Sequence, residues 1–428
     1  MLKIKITIQK QELKKRPDDR AKQIKIYQIM SINKKNSQAH DIVITEIGLC
    51  CVTGQQPFAL FGALGGNIIN SRELGIEVAS PDPDEAAISP LCVSTDMVAS
   101  ENPTERIMEL AATALGQIFK KIDREIDHSK ILCCILLPAV NEARGTAINE
   151  IYTENYLNDW IRNRYLSVSD LNTSFGAMNY RFVRVDQGAA KALSECCQEL
   201  AEGKWQAVIF GGADSLINEV TCAELASEAR LNAKDNPNGQ IPGEGAAFLL
   251  LEVKQEENET ENIEISNVIF KPEPNTRCAE HKKLLGLADS ISEIIKKENI
   301  SPNAIDTILL PFGLEICEQL EWYQVQQKIW PRVLDESQRL AMQTGEVEAP
   351  QPEPETIINP EILPMTSVTG NLGAATLPIA LALSCGRFEY NYPNINNLIV
   401  CDASSYAIRG AVYLNQNSKQ KHSPKQAA

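Results

Sequence analysis

Residues 241–252 read IPGEGAAFLLLE. Behind Gly243 and Gly245 the chain runs from Ala246 to Val253 as an almost uninterrupted apolar stretch of strand length, the pattern of a strand covered on both faces. Working outward from it, comparable strands are predicted at Ile42–Cys50, Ile131–Pro138, Arg181–Val185 and Ala207–Phe210 on one side. On the other they are predicted at Ile263–Phe270, Ile305–Leu310, Leu398–Cys401 and Ala411–Leu414. Helical patterns separate most of them. One helix is expected near Glu105–Ile122, where Asn102, Pro103 and Glu105 supply an N-cap, a first-turn proline and a capping-box acid. A second, near Lys283–Lys297, repeats Leu284, Leu287, Ala288, Ile291, Ile294 and Ile295 at helical spacing. Strands alternating with helices imply an α/β protein with largely parallel, doubly covered sheets.

The chain has 428 residues, long for one simple core, and carries a net charge of −15. That charge is uneven. Residues 1–40 hold eleven Lys or Arg against three acids, so the remainder carries −23. An acidic body disfavours nucleic acid and anionic membrane as partners. No long apolar run suggests a membrane span or signal peptide, so a cytoplasmic protein is expected. The basic first forty residues read as a disordered extension, with Met30 as an alternative start, and residues 417–428 as a disordered tail. Thr344–Asn359, TGEVEAPQPEPETIIN, mixes proline with acids and reads as a surface loop.

The twelve cysteines include adjacent pairs at Cys50–Cys51, Cys133–Cys134 and Cys196–Cys197, without CxxC spacing. They read as small buried hydrophobes rather than metal ligands or disulfides. His40, His128, His281 and His422 are scattered. Neither a metal nor a cofactor is expected.

Four stretches, in order, resemble the landmarks of β-ketoacyl synthase-like condensing enzymes of the thiolase-like superfamily. IVITEIGLCCVTGQQPFALFGALGGNII (42–69) is similar to that family's opening strand, glycine turn and first helix. GKWQAVIFGGADS (203–215), with Gly211 and Gly212, resembles the strand and turn after the nucleophile helix. IPGEGAAFLLLE, with Pro242, Gly243, Glu244 and Gly245, resembles the strand closing the first half. TSVTGNLGAA (366–375), with Gly370, resembles the loop and helix start that carry the last catalytic group. The resemblance implies a five-layer α-β-α-β-α fold of two pseudo-repeated halves, residues 41–260 and 261–416. It also implies dimerisation through the strand ahead of the nucleophile helix.

Where the family places its Cys, Lys and His residues, this chain differs. Counting back from Gly203 without gaps puts the nucleophile position at Asp186, and a gapped match puts it at Ala189. Asp186 also reads as an ordinary N-cap. The first His position falls on Phe312, the Lys on Thr366 and the second His on Asn371, itself a natural N-cap. The glycine-rich gate corresponds to CDASSYAIRG (401–410), short of the glycines that let backbone approach a thioester. The resemblance therefore implies loss of condensation activity. Three readings stand: a non-catalytic partner of an active condensing enzyme, like a chain-length-factor subunit of fatty acid or polyketide synthesis; an adaptor or scaffold; and an acyltransferase or hydrolase with a non-standard site using Asp186. A protein partner follows from the first two, as homodimer or heterodimer, and an acyl carrier protein is a further possible partner.

Overall fold

The computed structural model describes residues 41–68, 70–80, 87–122, 126–138, 178–234, 236–254, 263–275, 283–331, 340–341, 344–345, 360–391, 393–405 and 407–416. The basic arm, nearly all of the acidic loop and the tail discussed above lie outside these residues.

Ten strands form one sheet in two repeated halves. In the first, β1 (Ile42–Cys50), β7 (Glu244–Val253), β6 (Ala207–Ser215), β4 (Ile131–Leu137) and β5 (Asn179–Arg184) lie side by side. In the second, β8 (Ile263–Pro272), β12 (Ile408–Gln416), β11 (Asn397–Asp402), β9 (Thr307–Leu310) and β10 (Glu361–Pro364) do the same. The pairings match strand for strand: two antiparallel ladders, then two parallel ones, in each half. A short antiparallel ladder between Ile42–Ile44 and Ile263–Ile265 joins the halves. A two-stranded ladder of β2 (Arg72–Glu73) and β3 (Leu91–Cys92) stands apart.

The helices sort into layers. α2 (Pro103–Lys121) packs on β1, β7 and β6. α5 (Gly286–Glu298) packs on β8 and β12, with α6 (Ile316–Ile329) against it. Between the two sheet halves lie α3 (Ala189–Ala201), touching β6, β7, β8 and β12, and α8 (Thr376–Tyr390), touching β7 and β11. α1 (Pro57–Gly65) packs on α8, the single turn α7 (Thr366–Thr369) meets α1, and α4 (Glu219–Ser227) follows β6.

Alternation along each strand produces this layering. Leu132, Cys134, Leu136, Val208, Phe210, Leu249 and Leu251 face the central core with α3 and α8. Their neighbours Ile131, Cys133, Ile135, Ile209, Phe248 and Leu250 face α2. In the second half Leu309, Leu398 and Val400 face the centre, while Ile308, Leu310 and Ile399 face α5 and α6. Strands apolar on both faces are what two covered surfaces require. α8 is buried almost all round, as a helix enclosed by sheets on both sides must be.

Asn102 caps α2 as expected, its Oδ1 accepting from the Thr104 and Glu105 amides at 3.0 and 3.3 Å. The Gly-Gly turn expected at Gly211–Gly212 is not there. β6 continues through both residues to Ser215, because β7 pairs with it along that whole length. Ladder pairing here outweighs the weak strand preference of glycine. The described cysteines are free thiols except Cys317, which is disulfide-bonded and departs from the expectation. It sits in the first turn of α6, beside exposed Ile316, rather than inside a strand.

The PGEG stretch stitches the halves together. Gly243 N donates to Asn371 O at 2.9 Å and Asn371 N to Ile241 O at 2.8 Å. A Cβ on Gly243 would stand 2.2 Å from Thr369 O, so only glycine allows this approach. Fully buried Glu244 accepts from Thr95 N (2.8 Å), Ser215 Oγ (3.0 Å) and the Arg106 guanidinium (2.5 and 2.6 Å). The Glu244→Ala variant strands Arg106, whose side chain is only 17% exposed. It is expected to cost about 3–5 kcal/mol in denaturant unfolding. A loss under about 1 kcal/mol would show that this cluster does not hold the PGEG turn.

Candidate functional site at the starts of the central helices

β5 ends at Arg184 and a 3₁₀ turn, Val185–Gln187, leads to Gly188 (φ 96°) and then α3. Asp186 sits on that turn with its side chain 46% exposed, ion-paired with Arg184 at 3.1 Å. It does not cap α3: the N-cap is Gly188, with no side-chain cap bond. The extra turn carries the carboxylate out to Arg184 before the helix begins.

The group that meets the start of α3 comes from the other half. Asp402, at the end of β11 and fully buried, accepts from Ala190 N at 2.8 Å through Oδ2. Its Oδ1 accepts from Ser404 N at 3.0 Å and Ser404 Oγ at 2.5 Å. Ser405 Oγ donates to Asp186 O at 2.7 Å, and Ile408 lies against Gly188. Gly188, Ala189 and Ala190 are thus buried within the chain and offer no surface. Residues 402–405 form a serine turn seated on the start of α3.

The start of α8 is built reciprocally. Asp214, at the end of β6 and 1% exposed, accepts from Ala374 N at 3.0 Å and Ser215 N at 2.9 Å. Asn371 Oδ1 accepts from Gly373 N at 3.1 Å, closing a side-chain turn ahead of the 3₁₀ turn Gly373–Ala375, whose N-cap is Leu372; it does not cap α8. Gly373 has φ 53°, and a Cβ there would fall 2.1 Å from the Asp214 carboxylate. Asn371 Nδ2 donates to Gln240 Oε1 at 3.0 Å, and Gln240 Nε2 to Glu315 Oε2 at 2.5 Å. Arg230 pairs with Glu315 at 2.8 Å.

Three of the four positions singled out from sequence converge. Phe312, Thr366 and Asn371 line one cavity of about 340 Å³, with Gln240, Ile241 and Leu314 among its other walls. Asp186 is not among its lining residues. Thr366 Oγ donates to Phe312 O at 2.5 Å. The cavity walls hold no Lys, Arg, His or Cys among the described residues. Nor is any thiol near the α3 start set up as a nucleophile. Burial pushes the Cys197 and Cys401 thiols up, and Cys50 and Cys385 up to about 12. Among the described residues no cluster of His, Cys, Asp and Glu is placed to hold a metal, and no helix is long and apolar enough to cross a membrane.

No family model matches the sequence, and no curated protein matches it significantly. Solved structures do match. A ketosynthase from a type II polyketide system, in complex with its acyl-carrier protein and bound to the hexaketide, aligns with TM-score 0.65 at 11% identity. That alignment covers 89% of this chain and 100% of the other. The ketosynthase in complex with its chain length factor from Xenorhabdus doucetiae aligns with TM-score 0.62 at 13% identity over 89% and 99%. A β-ketoacyl synthase from Burkholderia phymatum STM815 gives 0.59 at 13% over 88% and 99%. The chain has the thiolase-like fold of ketosynthases. In this thiolase-like fold the two helix starts that face the middle of the molecule are both occupied by buried aspartates of the opposite half.

Sequence spacing found the junction at 185–189 but not Asp402 or Asp214, because each acts on a helix 212 or 160 residues away. A carboxylate on the Ala190 amide removes the donor that would stabilise a thiolate and adds a like charge. A cysteine introduced by Ala189→Cys is therefore expected to have its pKa raised, not lowered. Peptide mapping after iodoacetamide treatment should show it at least about tenfold less reactive than a free thiol at neutral pH. Fast labelling at residue 189 near pH 6 would show that Asp402 leaves the helix start open.

Proposed function

We propose that this protein is a catalytically degenerate ketosynthase-like chain that acts as a non-catalytic partner subunit of a condensing enzyme. The observation that carries this reading is Ala189 as first residue of α3, with the next amide bound to Asp402. The gapped sequence match gives the family's nucleophile position to Ala189, where there is no thiol. Phe312, Thr366 and Asn371, matched to the remaining catalytic positions, contribute a ring, a hydroxyl and an amide. None supplies the charge or general acid that decarboxylative condensation needs.

The chain-length-factor form of this reading draws support from the likeness to ketosynthase structures solved with chain length factors. β5 suits the pairing. Among the described residues it is an end strand of the sheet, paired with β4. Tyr180 and Phe182 stack at 6.3 Å along it, and its charges are already neutralised by Arg181–Glu199 at 2.7 Å and Arg184–Asp186. An adaptor role for an unrelated target has no comparable feature in its favour.

Two outcomes are expected. Incubation with acyl-carrier thioesters should give no stoichiometric adduct by intact mass, since a carboxylate accepts an acyl thioester far less readily than a thiolate; an adduct mapped to residues 186–189 would overturn the reading. Affinity purification from the native cell should recover a second thiolase-like chain. Phe182→Glu should weaken that pairing by about tenfold or more, through the cost of burying an unpaired charge. Recovery of an unrelated partner, or pairing indifferent to Phe182→Glu, would argue against a condensing-enzyme subunit.

A further inference from the structure

We infer that Cys92 and Cys222 form a dithiol that hydrogen peroxide oxidises to a disulfide, which ties the β2–β3 ladder to α4 and so fixes two walls of the cleft between them. That cleft has a volume of about 990 Å³. Arg72, Ile76 and Ser94 line it on the ladder side, and Asn218 and Val220 on the side of α4. Neither cysteine lines it, yet each stands two residues from one that does, Cys92 from Ser94 and Cys222 from Val220.

A small apolar core joins the two walls. Val78, Cys222, Leu225, Ala226 and Leu231 make it up, with Ile76 and Ile88 packed against it. Cys92 meets Cys222 from β3, its S–H donating to Cys222 Sγ. Both are free thiols and fully buried. Val93 N donates to Pro242 O at 2.8 Å and Leu216 N to Gly243 O at 3.0 Å, so β3 and the approach to α4 rest on the same PGEG stretch. A region held by few buried apolar contacts opens locally, and a disulfide across it would oppose that opening.

The pair is also set apart by its chemistry. Burial pushes the Cys50, Cys133, Cys197, Cys385 and Cys401 thiols up, because a thiolate is poorly solvated there. Cys222 moves the other way, since the hydrogen bond from Cys92 stabilises its thiolate. Cys134 and Cys196 also meet, but they lie in the central core, and no residue within two of either lines the cleft. In the reaction the Cys222 thiolate attacks one peroxide oxygen and the O–O bond breaks, leaving a sulfenic acid and releasing hydroxide, which takes up the proton first lost from Cys222. The Cys92 sulfur then attacks the Cys222 sulfur, the S–O bond breaks, and the departing hydroxide leaves with the Cys92 proton as water. Two thiols and one hydrogen peroxide thus give one disulfide and two waters.

The test uses the full-length chain alone, so its outcome is independent of whether a condensing-enzyme partner is found. The protein is treated with stoichiometric hydrogen peroxide, its remaining thiols are blocked with iodoacetamide in denaturant, and it is digested without reductant. The expected product is a pair of peptides joined through Cys92 and Cys222, lighter than the two thiol peptides by two hydrogens and separated by dithiothreitol, with Cys134 and Cys196 found alkylated. Oxidation should also slow amide hydrogen exchange at residues 72–76 and 219–227 by about tenfold in the parent, and leave it unchanged in Cys92→Ala. Cys222→Ala is the second variant should the first fail to fold, and the peptide map of the parent needs neither. No link between Cys92 and Cys222 once the peroxide is consumed, linkage of Cys134 to Cys196 as fast or faster, or exchange unchanged in the linked protein would each overturn the inference.

Discussion

Two buried aspartates exchange places across the pseudo-repeat, and the rest of the molecule is arranged around that exchange. Asp402 of the second half closes the start of α3 in the first, and Asp214 of the first half meets the turn that starts α8 in the second. A carboxylate taken out of water is costly unless hydrogen-bonded, and a helix start offers unpaired amides and a partial positive charge. Each aspartate needs the other half's helix, and each helix start needs an acceptor. Removing either acceptor would leave a buried amide unsatisfied, a loss of about 1.5–3 kcal/mol for a bond to a charged group. The halves therefore cannot be drawn apart without exposing two unpaired polar sites along with the apolar centre that α3 and α8 share.

That centre exists because strand alternation is kept in both halves at once. Leu249 and Leu251 face the middle, while Phe248 and Leu250 face α2. A one-residue slip of β7 against β6 would exchange the two sets. The fully buried Glu244 at the head of β7 resists such a slip, being fixed to Thr95, Ser215 and Arg106. Register, and through it the height at which Asp214 stands relative to Ala374, is thus pinned at the PGEG turn.

Local order was readable from the sequence. β1 is found at Ile42–Cys50 as read, and α2 begins at Pro103 behind the Asn102 cap, because both signals act within a few residues. The departures involve long-range contacts. Asp186 is in the right place for an N-cap by position alone, but the 3₁₀ turn and Arg184 claim its side chain. Gly211 and Gly212 resemble a turn until β7 pairs across them. α6 escaped notice because two of the residues that fasten it, Glu318 and Glu321, are buried acids that a hydropathy pattern assigns to solvent. Of the site, Thr366 and Asn371 lie in one matched stretch, 366–375, while Phe312 lies outside the four, and the three line one cavity. The acceptors that close the helix starts were not legible, since nothing local distinguishes Asp402 or Asp214 from any other aspartate.

Glu321 also decides how firmly the α3 start is closed. It and Arg409 are both fully buried and joined by two bonds of 2.6 and 3.1 Å. The same guanidinium donates to Ser405 O, and Ser405 in turn donates to Asp186 O. An outer-layer helix, a strand and the serine turn are therefore tied in one chain that ends on the residues flanking Gly188. Opening the turn would leave a guanidinium and a carboxylate buried without each other, at a cost of several kcal/mol. A glycine-rich segment moves because nothing of this kind holds it. Here Asp402, Ser405 and Arg409 bind residues 402–405 down on the start of α3.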